Sequence, residues 1–238
     1  MRLQKMAQRK WLELCTRLGL GDGPALKWWE WLYSRYGEPQ RHYHTMEHIE
    51  SMLELQDKHC EGKIQNNAEF QLAIFFHDVI YDPKAKDNEK QSADWAVKFI
   101  NETTESLESS SSLTINPNNV YDMILLTETH KTPAHTEGHN FGTNDEHFLL
   151  DLDMSILGQT WSVYARYAGN IRREYCHIPH SDYCQKRAEV LKSFLKVHRI
   201  YCTSEFHSIY EEPARNNIEK EISFLTVSLI IKYHQSNL

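Results

Sequence analysis

The sequence predicts an all-α fold, and three features carry that prediction. Apolar residues recur at helical spacing in most segments of the chain. Proline and glycine fall mainly between these segments, where helices end or begin. No strand-like apolar run has a second such run nearby with which it could pair. Because no internal repeat or linker divides the chain, we expect residues 1–238 to form a single domain, a helical bundle.

Breaks rich in glycine and proline delimit the first helices. The first helix carries its apolar positions at Leu3, Met6, Trp11, Leu14 and Leu18. It ends at the break Gly19–Pro24, and the second helix begins at Pro24, where a missing N–H costs nothing. Gly37 and Pro39 end that helix. Thr45 is the candidate N-cap of a third helix.

The segment Ala68–Tyr81 is apolar almost all round and should therefore be central to the fold. Its run Leu72–Phe76 could alternatively be a buried strand, but a helix is favoured because no strand-like run nearby could pair with it. A further helix is predicted over Asn88–Asn101. The serine-rich stretch that follows is expected to be a flexible loop over residues 102–116, since its composition cannot repay the entropy of ordering.

The second half of the chain continues the helical pattern. A loop is predicted between the first and second of its four helices, over Lys131–Asn144. The predicted helices are Pro117–His130, Trp161–Tyr175, Ser181–Ile200 and Pro213–Tyr233.

Composition excludes several classes of protein. The net charge is −7 and basic residues form no block, which argues against a nucleic-acid partner. The longest apolar runs are far short of the roughly 20 residues that cross a bilayer, so no membrane segment is expected. No secretory signal is recognisable, and five cysteines without CxxC spacing read as reduced thiols. We therefore expect a cytoplasmic protein.

The fourteen histidines must be weighed against chance. A composition of this kind produces about 0.65 His-Asp pairs at random, so the pair His77-Asp78 means little alone. A His-x-x-x-His spacing occurs at His44 and His48, beside a predicted helix start, and again within the loop Lys131–Asn144. The pair His77-Asp78 ends an apolar helix, where polar groups must be hydrogen-bonded to each other or bind a metal. The combination of these motifs carries the signal.

The order His, His-Asp, Asp on a helical chain resembles the HD-domain superfamily of metal-dependent phosphohydrolases. More narrowly, it resembles the group known as predicted HD-superfamily phosphohydrolases, over about residues 28–225. The motifs that carry this resemblance are Arg41–His48, Phe76–Asp82, Asp87–Ala93, Asp151–Gly158, Ile171–Tyr175 and Ala214–Asn217.

The resemblance implies a ligand set. The metal would be bound by His48, His77, Asp78 and one aspartate of the motif Asp151-Leu152-Asp153. Asp153 is chosen because the last ligand of the superfamily usually follows a small or apolar residue, and Asp151 stays open as the alternative. Such a mixed nitrogen and oxygen set suits Mn²⁺, Fe²⁺, Co²⁺, Ni²⁺ or Zn²⁺, and a second metal or Mg²⁺ stays open.

The first motif is also similar to that of the cyclic-nucleotide phosphodiesterases. By that resemblance His44 would be the proton donor and His48 a metal ligand. Tyr81 stands where the phosphodiesterases have a further histidine, which leaves two-metal chemistry unassured. The expected reaction is attack on phosphorus by a metal-activated water, and an imidazole such as that of His44 can protonate the leaving oxygen near neutral pH.

Other residues are candidates on weaker grounds. His130 could ligate a second metal or contact phosphate, although a histidine at a helix C-terminus can equally be a cap. Glu89 could hold a metal-bound water, or it could merely compensate the dipole at a helix start. Arg41, Lys131 and Arg172 are the candidates for binding a substrate phosphate.

Two further groups of side chains, three tryptophans and three histidines, are expected to be structural. The tryptophans Trp28, Trp29 and Trp31 are expected in the core rather than on a base-stacking platform. The histidines in or after the long loop are expected on a solvated lid, with a secondary metal site as the lesser alternative; they are His135, His139 and His147.

Three functions stay open. The leading one is a metal-dependent phosphohydrolase whose partner is a small phosphorylated substrate, a nucleotide or related metabolite. A di-iron oxygenase is the second, since the scaffold resembles that of inositol-type oxygenases with additional histidine ligands. The third is a non-catalytic helical module braced by its metal, which chelation would melt. The oligomeric state is not predicted.

Overall fold

The structure is a computed structural model that describes residues 4–105, 115–137 and 140–236. Of the residues in these ranges, 72% are helical and none lies in a strand. The all-α prediction is confirmed, and the strand alternative for Leu72–Phe76 is wrong. None of the helices in these ranges is long and apolar enough to cross a membrane.

The described part of the chain contains eleven α-helices and one short 3-10 helix. The α-helices are α1 (Gln4–Arg17), α2 (Asp22–Tyr36), α3 (Met46–His59), α4 (Asn67–Phe76), α5 (Asn88–Glu105), α6 (Pro117–Leu126), α7 (Pro133–Thr136), α8 (Asp145–Met154), α9 (Trp161–Glu174), α10 (His180–Lys196) and α11 (Ser204–Ser236). The 3-10 helix, Ser155–Gly158, follows α8 directly.

Backbone contacts group the chain into two compact units. The first contains Met1–His130 and Asn144–Leu150, and the second contains Lys131–Thr143 and Asp151–Leu238. The single domain over residues 1–238 stays a prediction.

Helix α4 is the centre of the first unit. It packs against α3, α5 and α6, and its apolar side chains are fully buried. Trp11 of α1 contacts Phe75 and Phe99, with ring centroids 5.2 and 5.1 Å away. The hydroxyl of Tyr36 donates to the carbonyl of Phe75 at 2.9 Å. The prediction of a central apolar helix is therefore correct, although α4 ends at Phe76, before the His77-Asp78 pair.

The three tryptophans of α2 differ in exposure. Trp29 is buried in the core as predicted. Trp28 and Trp31 are only half-buried, and they pack on Phe76 and Trp95.

The second unit is organised around α11, which packs against α9, α10 and the 3-10 helix. The predicted start at Pro213 is wrong, because α11 begins at Ser204 and Pro213 lies inside it. Thr203 precedes the helix, and its side chain accepts a hydrogen bond from the N–H of Phe206 at 3.4 Å. A proline weakens a helix by removing a backbone donor. The buried side chains before and after it explain why the helix continues: Phe206, Tyr210, Ala214 and Ile218.

Several other elements differ from the predictions, and α7 lies inside the loop predicted over Lys131–Asn144. Helix α5 runs through Glu105, so the loop predicted over residues 102–116 is wrong at its start, where the Thr103 hydroxyl donates to Phe99 O at 2.7 Å. Residues 106–114 of that loop lie outside the described residues. Helix α6 ends at Leu126 instead of His130, and α8 is not among the predicted helices.

Gly158 allows the 3-10 helix to lie directly against α11. A Cβ at this position would be 2.6 Å from the Cβ and 2.7 Å from the carbonyl oxygen of Tyr210. Asn217 reinforces the approach, since its side-chain amide donates to the carbonyls of Leu157 and Gln159, both at 2.8 Å.

We expect Gly158→Ala to destabilise the protein by about 1–3 kcal/mol, because the added methyl group overpacks a backbone contact that cannot yield. Chemical denaturation measures this difference. Gly169→Ala in α9 is the matched control, because nothing lies within 4 Å of its Cβ position. Alanine there should stabilise the helix by up to about 1 kcal/mol. Equal effects of the two substitutions would contradict the assignment of a close approach at Gly158.

The start of α8 depends on a neutral histidine. The N–H of Asn144 donates to Nδ1 of His147 at 3.1 Å, which requires that Nδ1 carry no proton. Burial lowers the pKa of His147 below its ordinary value, and the nearby Glu146 opposes this shift.

A histidine whose pKa is lower in the folded than in the unfolded state stabilises the fold at pH values above its pKa in the unfolded chain, about 6.5. This stabilisation is lost as the pH falls through the pKa of the folded state, because the unfolded chain then binds the proton more tightly. We therefore expect the thermal midpoint to fall less between pH 7 and pH 5 in His147→Gln than in the wild type, since glutamine keeps the acceptor without titrating. Calorimetry at both pH values tests this. The exposed His177→Gln is the control, and an unchanged pH dependence in His147→Gln would refute the prediction.

Candidate metal centre

His48, His77 and Asp78 form a compact cluster in the first unit. The Nε2 atoms of the two histidines are 3.3 Å apart. Asp78 Oδ2 is 3.1 Å from His77 Nε2 and 3.9 Å from His48 Nε2. Both histidines are buried, whereas 16% of the Asp78 side chain is exposed. The structure thus brings together three of the four predicted ligands as a group that could hold a metal ion.

Helix ends place these side chains. His48 lies in the first turn of α3, where its N–H donates to the carbonyl of Thr45 at 3.0 Å. His77 is the C-cap residue that follows α4, and its N–H still donates to Ala73 O at 2.9 Å. Asp78 follows as the chain leaves the helix. The cluster therefore forms where the start of α3 meets the end of α4, the two helices being packed together.

The protonation state of His77 follows from its surroundings. Its Nδ1 lies 3.0 Å from the carbonyl oxygen of Ile74, which can only accept, so Nδ1 carries the proton. Nε2, which carries the lone pair when the ring is neutral, then faces the carboxylate of Asp78 and the ring of His48. A lone pair and a carboxylate oxygen repel each other unless a cation or a proton lies between them. This donor set of imidazole nitrogen and carboxylate oxygen fits a divalent transition metal.

Tyr43 and Tyr81 hold the two histidines of the first motif. The hydroxyl of Tyr43 is 3.2 Å from Nδ1 of His48. The ring of His44 stacks on Tyr81, with centroids 4.2 Å apart, and lies 6.4 Å from the ring of His48. His44 and His48 do not lie on one helical face, because α3 begins only at Met46. They are nevertheless neighbours, because the chain bends before the helix.

Glu89 lies within electrostatic reach of Asp78, and His130 within reach of Glu89. Burial raises the pKa of Glu89, the charges of Asp78 and Glu128 raise it further, and His130 lowers it. Glu89 is in the first turn of α5. His130 has a left-handed backbone with φ 52°, uncommon for a residue other than glycine. Their catalytic roles stay predictions.

A second buried group, His135, Asp151 and Cys202, lies in the second unit and has the composition of a metal site. Its hydrogen bonds argue against that function. The N–H of Thr132 donates to Nδ1 of His135 at 3.0 Å, so the proton of the neutral ring is on Nε2, which then cannot bind a metal. Burial also raises the pKa of the Cys202 thiol, which opposes the thiolate form that a metal needs.

Asp151 is instead the acceptor at the start of α11. Its Oδ1 accepts from the N–H of Cys202 at 2.8 Å, and its Oδ2 accepts from the N–H and hydroxyl of Thr203 at 2.8 and 2.6 Å. Burial raises the pKa of Asp151 to about 7, against the lowering effect of these donors. Asp153 lies about 200° further round α8 and is only partly buried. Of the two aspartates, Asp153 therefore remains the predicted metal ligand.

The predicted phosphate-binding residues differ in their surroundings. Arg41 is buried and donates to Glu38 and to backbone carbonyls. Arg172 donates to the carbonyls of Tyr175 and Ile178 at 2.6 and 3.1 Å, beyond the end of α9. Lys131 is exposed. Nothing tests these residues against a substrate, so their assignment stays a prediction.

The histidines in and after the long loop do not act as one group. His135 is buried at the third position of α7, so the solvated lid is wrong for this residue. His147 accepts at the start of α8, and His139 lies outside the described residues. The sequence did not predict that Tyr43 and Arg41 hold the cluster in place. The only signal for these roles was that both residues lie close to His44 in the sequence.

Comparison with known proteins leaves the resemblance as an expectation, since no protein-family model, no curated protein and no solved structure matches the chain.

Proposed function

We propose that the chain is a metal-dependent phosphohydrolase that binds a divalent transition metal through His48, His77 and Asp78. Its substrate would be a small phosphate ester, a nucleotide or related metabolite. The observation that carries the proposal is the position of His77 Nε2, the nitrogen that carries the lone pair in the neutral ring, 3.1 Å from a carboxylate oxygen and 3.3 Å from a second imidazole nitrogen. The resemblance to the HD-domain superfamily supports the reaction class.

The metal would lower the pKa of a water molecule and stabilise negative charge on the phosphoryl oxygens. The resemblance implies Asp153 as a further ligand, and this assignment stays a sequence-based prediction. The partly exposed Asp78 carboxylate leaves the cluster accessible from solvent, as a site that receives a substrate requires. A metal that only braced helices would favour a closed ligand shell.

His44 is the proposed proton donor to the leaving oxygen. Stacking on Tyr81 holds its ring 6.4 Å from that of His48, so it lies beside the cluster without belonging to it. An imidazole exchanges protons near neutral pH, as a general acid must. Glu89 is proposed to accept a hydrogen bond from the attacking water, since the Asp78 charge reaches it.

Metal binding distinguishes the two buried histidine clusters. We expect the wild type to bind about one Co²⁺ or Mn²⁺ per chain, and His77→Ala to weaken binding by more than about 100-fold, because a ligand is lost. Isothermal titration of the metal-free protein measures both. His135→Gln is the matched control, since glutamine keeps the acceptor for Thr132 N–H. Equal loss of affinity in both variants would contradict the assignment of the site.

Hydrolysis tests the activity. With Mn²⁺, Co²⁺ or Ni²⁺, we expect the wild type to release phosphate or a nucleoside from a member of a nucleotide and phosphodiester panel. Asp78→Ala should abolish this activity, and His44→Gln should lower kcat by about 10²–10⁴-fold while the metal content is unchanged. The exposed His177→Gln should behave as the wild type.

Two outcomes would replace the proposal. About two irons per chain with oxygen uptake would indicate the di-iron oxygenase. A metal whose removal melts the fold, with no turnover of any substrate, would indicate the non-catalytic module.

A further inference from the structure

The guanidinium group of Arg41 joins the two segments that supply the candidate site. Its NH1 donates to the carbonyl of His44 at 3.0 Å and to the carbonyl of Asp78 at 2.7 Å. Its NH2 donates to the carbonyl of Val79 at 2.9 Å. One planar group therefore holds the backbone of the proposed proton donor and that of the His77-Asp78 turn at the same time.

Burial of this charge is complete, since the side chain of Arg41 is 0% exposed. A buried cation destabilises a fold unless its donors are satisfied. Glu38 accepts from Nε at 3.1 Å and supplies the opposite charge, although it also pairs with Arg35 at 2.6 Å. The rings of Tyr36 and Tyr81 lie near the guanidinium carbon, at 5.1 and 5.4 Å from their centroids.

Tyr81 links Arg41 to His44 a second time. Its ring contacts the guanidinium group and also stacks on the imidazole of His44. Arg41 thus determines the position of His44 through both the backbone carbonyl and the stacked ring. A displacement of Arg41 would move His44 relative to His77 and Asp78.

We propose that Arg41 is a positioning residue, which fixes the His44 segment against the His77-Asp78 turn, and that it does not bind the substrate phosphate. This inference rests on the proposed function of the cluster. Four of the five N–H donors of Arg41 already bind Glu38 and three backbone carbonyls, and the side chain is fully buried, so substrate phosphate could reach the guanidinium group only by displacing these partners. Lysine cannot replace the fork, since an ammonium group does not present planar donors in several fixed directions.

Arg41→Lys tests the proposal by comparing kcat with KM. We expect kcat to fall by about 100-fold with KM changed less than about threefold, since a misplaced proton donor slows the chemical step and leaves substrate binding intact. Arg35→Lys is the matched control, because Arg35 pairs with the same Glu38 carboxylate, and we expect kcat and KM as in the wild type. A large rise in KM with unchanged kcat would overturn the proposal in favour of phosphate binding.

Metal affinity provides a readout that needs no substrate. We expect Arg41→Lys to weaken Co²⁺ binding by about tenfold, because the turn that carries His77 and Asp78 loses its support, and Arg35→Lys to bind as the wild type. If the wild type binds Co²⁺ but hydrolyses nothing, the proposed function fails while this measurement still tests the position of the turn. Unchanged affinity together with unchanged kcat would refute a positioning role.

A third measurement uses the wild type alone and stays valid if Arg41→Lys does not fold. The guanidinium ¹⁵N resonances of Arg41 are followed in the Zn²⁺-loaded protein during titration with inorganic phosphate. We expect them to remain unshifted while those of residues that contact phosphate move. A saturable shift at Arg41 would show that it binds phosphate and would overturn the proposal.

Discussion

The hydrogen bond from Nδ1 of His77 to the carbonyl of Ile74 decides what chemistry the cluster can perform. It fixes the ring to its own helix and leaves Nε2 directed at Asp78 and His48. The carbonyl belongs to the last turn of α4, where the helix leaves acceptors without backbone partners. A helix end that would otherwise need a cap thus orients a candidate metal ligand.

The two buried histidine clusters show why composition is a poor guide to metal binding. Both contain imidazole and carboxylate groups at close range. Nδ1 of His77 donates to a carbonyl, whereas Nδ1 of His135 accepts from a backbone N–H. In the neutral rings, the remaining nitrogen consequently carries a lone pair in His77 and a proton in His135. The first ring suits a cation, and the second suits the carboxylate network that begins α11.

Much of the fold and of the cluster was predictable because it depends on local patterns. The apolar run of α4 could only be buried, and the polar pair at its end had to be satisfied there. The failures have identifiable causes. A proline usually begins a helix, but buried side chains on both sides of Pro213 carry α11 through it. The hydrogen bonds of Arg41 could not be predicted from local patterns either, because the carbonyls that it binds become available only when α4 ends and the chain turns.

Helix α4 belongs to both the core and the candidate metal site, so changes in core packing affect the position of the metal ligands. Helix α4 contributes apolar side chains that are fully buried, and its last turn orients His77. The Tyr36 hydroxyl bonds to the carbonyl of Phe75, two residues before His77, while the Tyr36 ring lies near the guanidinium of Arg41. Core packing and the position of the cluster therefore share contacts. This explains how a buried arginine is tolerated beside an apolar core: its donors satisfy carbonyls that the end of α4 and the following turn would otherwise leave unpaired.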